Sequence, residues 1–220
     1  MKYSFLIFAI LIFNNYFAQN DLELKIINDT IKKVSIFNDN NILYSLKNNS
    51  EKTYQIIWDS DEFNEHGEYY VEPEFIGLPD YYVFEKNKLI NPDGISDSDG
   101  NKFNVDRNSV DFRKFNRNFK RIFDKSEIEV AYRISSKILK LKPGEEKYFS
   151  TRVDFPRYRR RYIDLKNKSE YYFQISLQIP KEIVDKYYAP IKDEEDNNII
   201  FVGQIFSNKV PLIYEVYNDK

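Results

Sequence analysis

The chain contains no cysteine, and that absence removes several options at once. There is no thiol nucleophile and no thiolate metal site. No disulfide staples the fold, so packing alone must hold it. An N-terminal lipid anchor through cysteine is excluded as well. Histidine is nearly as scarce, and His66 is the only one. Any Ser-His-Asp arrangement would have to use it, and no Gly-x-Ser-x-Gly precedes a helical pattern. His66 lies in Glu65-His66-Gly67-Glu68. One imidazole with loop carboxylates is a thin donor set for zinc, and the residue reads as a solvated loop histidine. Neither charge sign dominates: 33 basic and 35 acidic residues leave a net charge of −2. That balance points away from a nucleic-acid partner. No cofactor is implied.

The first twenty residues, MKYSFLIFAILIFNNYFAQN, carry one charge, Lys2, ahead of an apolar run over 5–13. The run is too short to span ~30 Å of hydrocarbon. A charged start, a short apolar middle and a small-residue exit make a signal peptide, residues 1–19, with cleavage expected after Ala18 or Gln19. No later stretch is apolar enough to cross a bilayer, so no membrane span is expected after cleavage. The expected location is exported, periplasmic or extracellular.

The remaining residues, 20–220, suffice for one domain. Their grammar is that of short strands and turns. In residues 42–57, Ile42, Tyr44 and Leu46 alternate with Leu43, Ser45 and Lys47, the period of a half-buried strand. Asn48-Asn49-Ser50 then breaks the run with turn formers, and Tyr54, Ile56 and Trp58 resume it, so a hairpin is expected. Residues 22–37 read as two strands split by Asn28-Asp29. Further strands are expected over 81–84, 138–141, 147–155, 171–179, 199–205 and 210–217. Ile128, Val130, Tyr132 and Ile134 alternate too, and read as a strand. Pro180 opens a short helical turn over 181–188. One helix is expected, over 108–123, with Asn108 or Ser109 as its cap and Asp111 in its first turn. No internal repeat is present. Short strands with one helix and no βαβ alternation argue for an antiparallel sandwich. Residues 62–125 are read as an insert.

Three stretches are candidates for recognition. In the helix, Phe112, Phe115, Phe119, Ile122 and Phe123 fall on one arc and Arg113, Lys114, Arg117, Lys120 and Arg121 on the other. Two readings fit: a Phe face packed on the sandwich with cations in water, or an interfacial helix with rings in the acyl boundary. The second stretch is Arg157-Tyr158-Arg159-Arg160-Arg161-Tyr162. If extended, it puts Arg157, Arg159 and Arg161 on one face, suited to phosphate or sulfate. Pairing with the acidic stretch of the same chain is the alternative. That acidic stretch, residues 53–85, has nine carboxylates, nine aromatics and no Lys or Arg. Exposed Trp58, Tyr69 and Tyr70 would offer apolar faces to a sugar, unless they are core. A calcium loop is suggested by Asp97 and Asp99 with Asp106, but the EF-hand frame fails and a plain turn is the reading taken.

Four pieces, taken in order, carry a resemblance: Leu46-Lys47-Asn48-Asn49-Ser50, Leu141-Lys142-Pro143-Gly144-Glu145-Glu146, the 171–179 strand, and the run from Gly203 through Ser207-Asn208 to Val210. Their order resembles immunoglobulin-like β-sandwich domains of exported bacterial proteins of the Bacteroidota type, similar to BsuPI-type proteinase-inhibitor domains. Asp29-Thr30-Ile31 resembles the Asp-Thr-apolar O-glycosylation acceptor of such exported proteins, although a plain turn fits it as well. The resemblance implies a fold and no catalytic residues. The expected function is a non-catalytic binding or scaffolding module of the cell envelope, with glycan, lipid headgroup or another envelope protein as partner. A proteinase inhibitor acting through a loop over 89–104 is the alternative. A glycan hydrolase using two carboxylates from 59–74 is the second.

Overall fold

A computed structural model of the protein describes residues 21–33, 40–65, 75–92, 105–153, 157–158, 161–167, 169–192 and 198–215. The described strands begin with β1 (Leu22–Ile26), β2 (Ile31–Lys33), β3 (Asn40–Asn48), β4 (Tyr54–Ile57), β5 (Asn64–Glu65), β6 (Asp80–Glu85) and β7 (Lys88–Ile90). They continue with β8 (Ile138–Leu141), β9 (Glu146–Val153), β10 (Arg157–Tyr158), β11 (Arg161–Tyr162), β12 (Tyr171–Ile179), β13 (Ile199–Ile200), β14 (Gly203–Phe206) and β15 (Val210–Tyr214). Between β7 and β8 lie two helices, α1 (Val110–Phe119) and α2 (Glu127–Ser136). The protein is mainly β. No described helix is long and apolar enough to cross a membrane.

β3 is the middle of the first sheet. Ile42, Tyr44 and Leu46 are fully buried while Leu43 is 44% exposed, which is the alternation expected of a strand with one wet face. β1 and β9 flank it, both antiparallel. The largest sheet runs β2-β15-β12-β6-β5, with β14 also on β12 and β7 also on β6. β6 lies within the stretch read as an insert, yet it pairs with β12 over six residues at the centre of this sheet. Buried residues of both sheets belong to one apolar core. Tyr44 of β3 lies 5.7 Å from Phe63, and Phe63 lies 6.3 Å from Phe173 of β12, between ring centres. Such aromatic pairs are worth about 0.5–1.5 kcal/mol beyond the area they bury.

The 42–57 segment is not a hairpin. β3 pairs with β1 and β9, whereas β4 pairs with β8 and β13. Asn48 explains the parting of the two strands. Its Nδ2 donates to the carbonyls of Lys52 (2.7 Å) and Leu141 (3.1 Å), and its Oδ1 accepts from the Ser50 N–H (3.0 Å). The side chain thus replaces backbone pairing at a corner, and the chain leaves for another layer. All four residues of β4 are buried, so it needs cover on both faces.

The second correction concerns Ile128 to Ile134, which form helix α2 and not a strand. Asp124 and Glu127 make a reciprocal cap. Asp124 Oδ1 accepts from the Glu127 N–H at 2.8 Å, and Glu127 Oε2 accepts from the Asp124 N–H at 3.3 Å. Ile128, Ala131 and Ile134 then fall on one buried side at three-residue spacing.

The Ser207-Asn208 piece, just before β15, ties the layers together. Ser207 Oγ accepts from the Ile175 N–H of β12 (3.0 Å). The Asn208 side chain accepts from the Ile26 N–H (2.8 Å) and donates to the Ile26 carbonyl (3.2 Å), acting as a one-residue strand on the outer edge of β1.

Candidate functional site

Helix α1 forms within the range that the sequence predicts but ends at Phe119, so Arg121, Ile122 and Phe123 lie in the turn beyond it. Ser109 is the cap, its Oγ accepting from the Phe112 N–H at 3.2 Å. Asp111 lies in the first turn, where the helix dipole favours an anion. The aromatic side of α1 packs on α2, and Phe123, beyond the end of α1, packs on the helical turn Val184–Tyr188. Phe112 and Phe115 meet the Tyr132 ring edge-on at 5.2 and 5.4 Å, and Phe123 stacks on Tyr187 at 6.4 Å. Phe112 and Phe123 are buried. Of the two readings of this helix, the packed one describes the rings. They are not available to an acyl boundary, and only Ile122 of that arc is largely exposed.

Ion pairs hold α2 to the segments around it. Arg107 Nε donates to Glu129 Oε1 at 2.6 Å, and Lys186 pairs with Glu127 at 2.8 Å. Deeper, Asp59 takes Arg133 at 3.2 Å and Lys137 at 3.1 Å, and Lys137 also holds Asp61 at 2.9 Å. Burial would raise the Asp59 carboxyl, but the Lys137 hydrogen bond, the Asp61 N–H and Arg133 outweigh it and hold it below its ordinary value. Asp59 and Asp61 are therefore structural anchors of α2. They do not stand as the free carboxylate pair that a hydrolase needs.

The opposite side of α1 is wet and cationic. Arg113, Lys114, Arg117, Lys120 and Arg121 are all exposed. Arg113 and Lys114 precede Arg117 by four and three residues within α1, and Lys120, the C-cap, and Arg121 follow it in the turn beyond the helix. Each of the two like-charge pairs inside the helix costs an isolated helix roughly 0.2–0.5 kcal/mol. No ion pair with a described residue relieves the five cations. Beside this face, between α1 and α2, lies a cavity of about 360 Å³. Phe112, Phe123 and Ile128 line its apolar side, and Arg107, Lys120 and Lys125 share its charged side with the carboxylates Asp124 and Glu129. The cavity is thus of mixed charge, and it is the exposed cations of the α1 face that can meet an anion.

The other sequence candidates separate. Trp58 does not offer a sugar-binding face. It is 5% exposed, packed 4.8 Å from Phe149 and 6.0 Å from Tyr44, directly after the fully buried strand β4. The arginine run is not one extended strand. β10 and β11 pair antiparallel, with Arg157 opposite Tyr162 and Tyr158 opposite Arg161, so the chain reverses within it. The premise of a stripe through Arg157, Arg159 and Arg161 therefore does not hold. Arg159, Tyr69, Tyr70, His66, Asp97, Asp99, residues 1–19 and most of the 89–104 stretch lie outside the described residues. Asp106 uses Oδ1 to accept from the Asn108 N–H at 2.9 Å, ahead of α1. Among the described residues no three His, Asp or Glu side chains converge on a metal-sized site. Sequence reasoning missed Arg133, Lys137 and the Asp124–Glu127 cap. The Asp-x-x-Glu spacing before Ile128 was the available signal for the cap.

No protein-family model matches the chain, and no curated protein is significantly similar to it.

Proposed function

We propose that the protein is an exported, non-catalytic binding module with an immunoglobulin-like sandwich, and that it recognises an anionic lipid headgroup at an envelope membrane through α1. The observation that carries this reading is the Arg117-centred cluster, five exposed cations without an ion-pair partner among the described residues. A sequence that retains such mutual repulsion places a functional demand above local helix stability. The fold assignment is supported by the mainly β architecture, by the aromatic contacts that link β3 through Phe63 to β12, and by the Ser-Asn tie before the last strand. Export is supported by the leader-like first nineteen residues.

Co-sedimentation with phosphatidylglycerol vesicles, against pure phosphatidylcholine vesicles, tests the reading. A basic residue near an anionic surface is worth about 1 kcal/mol. Reversing two of them, Arg113→Glu with Arg117→Glu, is expected to weaken binding by about thirtyfold or more. Added salt should weaken wild-type binding in parallel. Equal affinity for both vesicle types, or indifference to the reversal, would refute the proposal.

A further inference from the structure

A second groove, of about 580 Å³, lies on the wet face of the first sheet, where β1 ends and the segment before β15 crosses it. Register explains its shape. Lys25, Ser45 and Tyr148 sit directly across β1, β3 and β9 in one row. Strand spacing places the outer two backbones roughly 10 Å apart, with only a serine between them. Ser45 is 2% exposed and forms the floor, whereas Tyr148 is 67% exposed and forms a wall. The wall is held in place: Tyr148 donates from its hydroxyl to Glu146 Oε2 at 3.0 Å. Hydrogen bonds from Ser45 and from Tyr148, with Lys47 and Lys25 nearby, keep the Glu146 carboxyl below its usual range. It is an ionised acceptor at neutral pH. Lys209 lines the far side, with its Nζ placed 3.6 Å from the centre of the Phe84 ring, which is not part of the lining. The charged lining is Lys25, Lys209, Asp29 and Glu146, two of each sign. No net field selects an ion.

We propose that this groove binds a neutral oligosaccharide, with a sugar ring stacked on Tyr148 and its hydroxyls shared between Glu146 and Asp29 as acceptors and Lys25 as a donor. A fixed aromatic face beside alternating donors and acceptors suits a ligand that is apolar on its C–H side and polar at its rim. The volume is within the range of small-ligand clefts. The groove is distinct from the α1 face and does not depend on the reading given to that face.

The test titrates the full chain with maltotriose, mannotriose and tri-N-acetylchitotriose, followed by calorimetry and NMR shift changes. Saturable binding of at least one trisaccharide is expected. Tyr148→Ala should weaken it by about tenfold or more, while Tyr148→Phe, which keeps the ring, should cost less than about threefold. Arg113→Glu with Arg117→Glu should leave it unchanged. Circular dichroism of Tyr148→Ala reports whether the fold is intact. If it is not, Glu146→Gln takes its place, with weakened binding expected. Absence of saturable binding for all three sugars, or binding that survives loss of the ring in a folded variant, overturns the proposal.

Discussion

Asp80 offers a sharp test of the packing described above, because removing its charge should make the protein more stable. It begins β6, opposite Ser176 of β12, with Asn64 Nδ2 donating to it at 2.8 Å. Burial pushes its carboxyl up to about 6, and the Asn64 bond offsets that only in part. In the unfolded chain the group titrates near ~3.9. Between those values the folded state keeps a proton that the unfolded state releases. The sign follows directly: stability falls as pH rises through this window, and the cost is complete above about pH 6. Two units at 1.36 kcal/mol each give roughly 3 kcal/mol. Asp80→Asn keeps the shape and still accepts from Asn64 through its amide oxygen. It is expected to gain about 2 kcal/mol at neutral pH, allowing for the weaker hydrogen bond of a neutral acceptor. The gain should shrink towards zero near pH 4. Urea unfolding of both proteins across a pH series measures the difference, and subtracting one from the other removes every other titrating group. A variant less stable than wild type at neutral pH, or a difference that does not vary with pH, refutes the account of Asp80.

Two further outcomes concern the joints of the fold. Asp59→Ala strips Arg133 and Lys137 of their shared carboxylate and should cost about 3–5 kcal/mol in urea unfolding, since it removes one partner of a buried ion pair. The pH dependence has the opposite sense to that of Asp80: the Asp59 carboxyl is held low, so its contribution is present at neutral pH and fades below about pH 4. Gly77 has φ of +88°, and a Cβ there would lie 3.0 Å from Ile57 Cγ2. Gly77→Ala should therefore lower the unfolding free energy by about 1–3 kcal/mol, read as a lower thermal midpoint.

Strands whose faces differ were legible in the sequence. β3 and β12 carry clean alternation because one side meets the core and the other meets water. α1 was legible for the same reason at helical period, and with it the five cations. α2 was not, because Ile128, Val130, Tyr132 and Ile134 satisfy a period of two while Ile128, Ala131 and Ile134 satisfy the helix. Only the Asp124–Glu127 cap decides between them. β4 gave no warning that it would desert β3, since that choice is made by Asn48 reaching Leu141, 93 positions away. The Asp59–Arg133 pair spans 74 positions, and the Tyr148 groove gathers residues from four distant segments. Trp58 misled because its acidic neighbours suggest a wet surface. Those acids instead hold α2 while the indole turns inward.

The Asn208 amide has a bearing on what happens when many copies meet. An outer strand normally leaves a row of unmet amides that another molecule can zip onto, which is how crowded β-proteins polymerise. By engaging both polar groups of Ile26 with one side chain, the fold blunts that template at β1 and leaves a neighbouring chain little to grip.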